Sequence, residues 1–109
     1  MRFFIDECLS PQLAIRLNDT GRHDAVHPLH VEEDRVIVTE NGRDFRRMIG
    51  RMELHPGLII LPSLDREGTW TLSQAALAFL ESRGEPASIM VNHVLEMRET
   101  GEVKLGSMS

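Results

Sequence analysis

The chain has a single cysteine, no long apolar run and no surplus of basic charge, and each absence narrows what it can be. Cys8, alone among 109 residues, leaves no partner for an internal disulfide and no cysteine set for a zinc site, which fits a reducing compartment. No run approaches the ~18 apolar residues of a membrane-spanning helix, and no basic-then-apolar leader precedes the first structured residues. These features predict a cytoplasmic protein with no membrane association. A formal net charge of −5, from 12 Lys and Arg against 17 Asp and Glu, excludes a protein that holds nucleic acid by a general positive field. It does not exclude a nuclease, because divalent cations bound at an acidic site reverse the local charge.

What is present amounts to one domain, residues 1–109, of 12.4 kDa. Phe3, Phe4 and Ile5 form an apolar run too short for a helix and without polar alternation, which predicts a strand buried on both faces. Asp6 and Glu7 end it. Ser10 and Pro11 open a first helix as N-cap and first helical residue, with Leu13, Ala14 and Leu17 on one face and Gly21 closing it. Because Ser10 can do the capping, Asp6 is not required for it. His23 to His27 forms a short second strand stopped by Pro28, and Arg35 to Thr39 a third, β-branched one. The turn Thr39-Glu40-Asn41-Gly42 leads to Asp44, which opens a short helix through about Met48. Leu58 to Leu61, bounded by Pro56-Gly57 and Pro62, is another buried strand.

A long helix follows over roughly Thr71 to Ser82, with Leu72, Ala76, Phe79 and Leu80 on its apolar stripe and Gly84 at its end. Trp70 and Phe79 read as packing residues of this helix. From Ile89 the pattern predicts a C-terminal β-hairpin turning at Glu99 to Glu102, then a frayed tail over 106–109. The order of elements predicts an α/β fold with a mainly parallel central sheet. One link is anomalous: eight residues, one a proline, separate Val26 from Arg35, whereas a crossover between neighbouring parallel strands needs about a dozen. Either the two strands are not parallel neighbours or the connection is abnormal, as an exchange of segments between two chains or a missing stretch would make it.

Acidic residues gather at strand ends. Asp6 and Glu7 follow the first strand, Glu40 and Asn41 the third, and Asp44 lies on the next helical turn. If the two strands are adjacent and parallel, their carboxyl ends bring Asp6 and Asp44 to the edge of the sheet where ligands bind. Hard oxygen ligands there suit Mg²⁺ or Mn²⁺, which take one or two carboxylates and keep several waters. Thr39 and Ser10 are placed to orient a water or a phosphate oxygen. The bland alternative is that these are turn and capping residues, chosen for backbone hydrogen bonding or the helix dipole.

Phe-Ile-Asp-Glu-x-Leu-Ser-Pro at positions 4–11, His23-Asp24-Ala25-Val26-His27, and Val36 through Phe45 together resemble the PIN-like family of small bacterial proteins known as DUF5615, relatives of the toxin nucleases of toxin–antitoxin pairs. The segments Pro56 to Pro62 and Met90 to Val94 match as well, so the resemblance covers nearly the whole chain. It implies a PIN-like three-layer α/β/α sandwich and a metal-dependent endoribonuclease, with Asp6 and Asp44 as the matching acids and Thr39 beside them. RNA as substrate, an antitoxin protein as partner and Mg²⁺ or Mn²⁺ as cofactor are implied with it. Two departures define the competing reading. Family members usually carry a helical stretch with another acid between the regions of His27 and Glu33, absent here, and Asn41 stands where many place an aspartate. The competing reading is a catalytically impaired interaction or regulatory module, in which an exchanged homodimer is one solution to the short link.

Other clusters carry less. His27 and His30, with Glu32, Glu33 and Asp34 nearby, read as a solvated loop, with Glu32 or Glu33 as a stand-in for the missing acid. Arg43, Arg47 and Arg51 form one helical stripe beside Arg46, suited to guiding a phosphate backbone or to serving as a wet helix face. Cys8 has acidic neighbours and no paired base, which excludes a cysteine nucleophile.

Overall fold

Apolar residues on both sides of a strand demand cover on both faces, and β1 (Arg2–Ile5) has them: Phe3 and Ile5 point into one cluster of buried side chains, Phe4 into another. Each such side chain stabilises the fold by about 1.5–3 kcal/mol. A computed structural model of the chain describes residues 1–6, 9, 11–26, 35–40, 42 and 55–107. It shows an α/β fold whose sheet has six strands in the order β2-β1-β3-β4-β5-β6. They are β1, β2 (Asp24–Val26), β3 (Val36–Thr39), β4 (Leu58–Ile60), β5 (His93–Met97) and β6 (Val103–Ser107). All neighbours pair parallel except β5 with β6, which is antiparallel.

Three helices are described: α1 (Pro11–Asp19), α2 (Arg66–Arg83) and α3 (Pro86–Met90). Leu13, Ala14 and Leu17 of α1 and Leu72, Ala76, Leu77 and Leu80 of α2 join Phe3, Ile5, Val36, Val38, Ile59 and Leu95 in the larger cluster. Phe4, Ile37, Leu58, Ile60 and Val94 form the smaller one on the opposite face of the sheet. Among the described residues no helix is long and apolar enough to cross a membrane.

The anomalous link is explained by the strand order. β2 and β3 are not neighbours; both flank β1. The sheet therefore calls for no crossover between neighbouring parallel strands at this link.

Elsewhere the sequence reading needs correction. α2 begins at Arg66, a turn and a half before Thr71, because Asp65 caps it and accepts a hydrogen bond from Gly68 N at 2.7 Å. Its polar first turn shows no apolar period, which hid it from a reading based on hydrophobic spacing. Phe79 lies at the margin of the buried stripe, half-buried against the core, with the Arg83 guanidinium 4.7 Å from its ring. Met90 belongs to α3, which Pro86 opens, so the strand expected from Ile89 begins only at His93. Gly106 and Ser107 are not a frayed tail but strand residues paired with Val94 and His93. The helix expected from Asp44 lies outside the described residues.

Candidate functional site

The carboxyl ends of β1 and β3 meet at the middle of the sheet's parallel part. Their register, Ile5 against Val38, continues one step further, since Asp6 N donates to Val38 O at 2.9 Å. That step fixes the backbone of Asp6 beside Thr39. Leu9 N then donates to Asp6 O at 3.0 Å, a tight turn that leads the chain toward α1. On the other side Leu61 N donates to Thr39 O at 2.9 Å, so Thr39 is locked between two neighbours and is 0% exposed.

A buried hydroxyl needs a partner, and the register supplies one: Thr39 Oγ1 donates to Asp6 Oδ2 at 2.7 Å. This bond holds the half-exposed Asp6 carboxylate in one orientation at the mouth of the sheet. Thr39, expected beside the acids, thus contacts Asp6; Asp44, the acid expected to act with Asp6, lies outside the described residues. Glu40, the residue after Thr39, is half-exposed and lines a groove of about 250 Å³ between α1 and the start of α2.

That groove was not foreseen. Gln12 and Arg16 line it from α1, and Arg66, Glu67 and Trp70 from α2. Arg16 bridges it, ion-paired with Glu67 at 3.0 Å and lying over the Trp70 ring at 5.1 Å from its centroid. Trp70 does pack against the core as expected, half-buried, but it also walls the groove. The only sequence signal was Arg16 on the polar side of α1, indistinguishable there from an ordinary wet helix face.

The remaining candidates, Glu7, Ser10, Asn41, Arg43, Asp44 and Arg47, lie outside the described residues, as do Cys8, Arg46, Arg51 and the His27 to Asp34 segment. Among the described residues no three or more His, Cys, Asp or Glu side chains gather to hold a metal ion. The Asp6 carboxylate is a hard oxygen donor of the kind Mg²⁺ and Mn²⁺ accept, and those ions need only one or two protein carboxylates. The Thr39 hydroxyl is buried and donates to that carboxylate.

The opposite ends of the strands hold groups whose titration is shifted. Asp24 accepts from the buried Arg35 guanidinium at 3.1 Å, and this hydrogen bond holds its carboxyl below the ordinary value. His55 and His23 are both held below theirs, chiefly by burial. None of the three adjoins Asp6. Comparison with family models, with curated proteins and with solved structures finds no match to this chain.

Proposed function

We propose that the protein is a metal-dependent endoribonuclease of the PIN type, the toxin of a toxin–antitoxin pair, acting on RNA in the cytoplasm. The observation that carries the reading is the Asp6–Thr39 pair: a carboxylate oriented by a buried hydroxyl at the carboxyl end of two adjacent parallel strands. The half-exposed Asp6 carboxylate is the group available to a ligand there, and the fold this reading requires is the three-layer PIN-like sandwich closed by a hairpin.

In this proposal Asp6 and Asp44 hold Mg²⁺ or Mn²⁺, with Glu40 and Asn41 as further oxygen donors and Glu7 as a secondary acid. The ion, when bound, lowers the pKa of a water and offsets the charge that develops on the phosphoryl group. Thr39 keeps the Asp6 carboxylate in its binding orientation, which removes part of the ordering cost of assembling the site. Arg16 and Arg66 give the adjoining groove cationic groups for the RNA backbone, and Ser10, Arg43 and Arg47 are further candidates for phosphate contact. Base identity is not read by such contacts.

Calorimetric titration with Mn²⁺ tests the reading: the wild type binds and Asp6→Ala does not. An RNA cleavage assay should then show activity that a chelator abolishes and Mn²⁺ restores. A wild type that neither binds Mn²⁺ nor cleaves RNA would leave the catalytically impaired interaction module in its place.

A further inference from the structure

The groove between α1 and the start of α2 is walled by Trp70, the chain's only tryptophan, and its volume of about 250 Å³ falls below the ~300–1,000 Å³ of pockets that enclose drug-sized ligands. A cleft of that size takes one flat group rather than a helix or strand of a partner protein. It also adjoins the candidate site. Glu40, which lines it, follows Thr39, and Leu9, which lines it too, donates its backbone N–H to Asp6 O.

Arg16 is held in this groove by two groups. Its guanidinium pairs with the Glu67 carboxylate at 3.0 Å and lies over the Trp70 ring, 5.1 Å from the centroid, yet its side chain is 37% exposed. A guanidinium that already has a carboxylate partner has less to offer a phosphate, but its flat face still stacks on a base, as an indole does. Arg66 lines the same groove, is exposed, and carries a charge that a phosphate can take.

We propose that this groove is a subsite for one unpaired base of the RNA strand, stacked against the Trp70–Arg16 pair, with Arg66 toward the strand's phosphates. Its ligand, RNA, comes from the nuclease reading, on which the subsite rests. A strand with one phosphate at Asp6 lays a neighbouring base into the groove, since Glu40 and Leu9 join the two places. A base inside a duplex has both faces covered by its neighbours, so the subsite selects single-stranded RNA. Stacking serves any base, because each has a π face, and no sequence is chosen by it. Glu67 and Trp70 hold the guanidinium in place before RNA arrives, so little side-chain freedom is lost when a base stacks on it.

Fluorescence of the single tryptophan tests it, because it reports on the groove and needs no cleavage. With chelator present, a short single-stranded oligoadenylate should quench Trp70, whereas the same strand paired with oligouridylate, or a ribose-phosphate strand without bases, should bind about tenfold more weakly. Arg16→Lys keeps the charge and gives up the plane, so it should weaken the oligoadenylate about tenfold and leave the baseless strand as it was. A thermal melt establishes that this variant still folds. Oligoadenylate that leaves the fluorescence unchanged overturns the subsite. So does a baseless strand that binds as tightly as oligoadenylate, or an Arg16→Lys variant that binds oligoadenylate as the wild type does. A quench by polyglutamate and not by RNA would assign the groove to an acidic protein and overturn it as well. Cleavage of RNA without quenching removes the subsite and keeps the nuclease; quenching without Mn²⁺ binding or cleavage keeps the subsite and removes the nuclease.

Discussion

The two ends of the parallel strands both carry polar groups but use them differently among the described residues. At the amino ends, backbone consumes them. His55 N donates to Asn92 Oδ1 and Asn92 N to His55 O, both at 2.8 Å, and Gly57 N donates to His55 Nδ1 at 2.9 Å. Arg35, 4% exposed, ties Asp24 O at 2.9 Å and the Asp24 carboxylate at 3.1 Å. These bonds seat the segments entering β4 and β5 and join β2 to β3 across β1. At the carboxyl ends, among the described residues, Thr39 meets Asp6 side chain to side chain, and the ladder beneath is made without that bond. A polar group on which the backbone depends cannot be replaced without cost to the fold. One that only orients another side chain can be, so the first end should report on stability and the second on activity.

The largest effect that would break this contrast is at Gly57, whose φ of +133° is a glycine conformation and whose added Cβ would lie 2.6 Å from Met90 O. Gly57→Ala should lower stability by about 3 kcal/mol or more by urea denaturation, and an unchanged midpoint would mean that this end is not the rigid one. Next comes Asp6→Asn, expected to lower RNA cleavage about a hundredfold or more with a denaturation midpoint near that of the wild type. A large stability loss there would assign Asp6 to the fold instead. Thr39→Val keeps the shape of the buried side chain and removes the hydroxyl, so it should cost about 1 kcal/mol in stability and weaken Mn²⁺ binding by about tenfold through the freed carboxylate. A variant that binds Mn²⁺ as tightly as wild type would show that the bond is only a buried hydroxyl's satisfaction.

The smallest effect is in pH. His23 and His55 titrate below 6.5 in the native state, so between their native values and 6.5 the unfolded chain binds more protons. Their contribution to stability is therefore complete above about pH 6.5 and lost as pH falls below it. Protonation of His55 Nδ1 would also end its acceptance of Gly57 N, and both His23 ring nitrogens are buried without a hydrogen-bond partner among the described residues. The urea midpoint should fall from pH 7 toward pH 5, and the fall should be shallower in His23→Leu. A flat profile would mean that the amino ends admit water.

Much of the scaffold was legible because its signals are local. Phe3 to Ile5, Val36 to Val38 and Leu58 to Ile60 announce buried strands by unbroken apolar character, and Leu13, Ala14 and Leu17 announce a helix by spacing. Asp65 as a cap and Pro86 as the start of α3 were also written locally, but in polar residues that a search for hydrophobic period passes over. The candidate site was half legible. Asp6 stood out because a buried run ended on it and Ser10 could take over the capping, whereas the groove made by Arg16, Arg66 and Trp70 exists only because α1 and α2 lie side by side.

Sequence by itself determined which segments are buried and that an acid follows the first of them, since both depend on the character of adjacent residues. Tertiary structure alone decided that β1 lies between β2 and β3, that Thr39 meets Asp6, that the Asn18 side chain pairs with the Ala25 backbone beside β2, and that only glycine fits at position 57. Those outcomes depend on strand register and on the approach of segments distant in the chain. Many alternative pairings satisfy the same local pattern, and only the packing of all six strands and their helices together selects one.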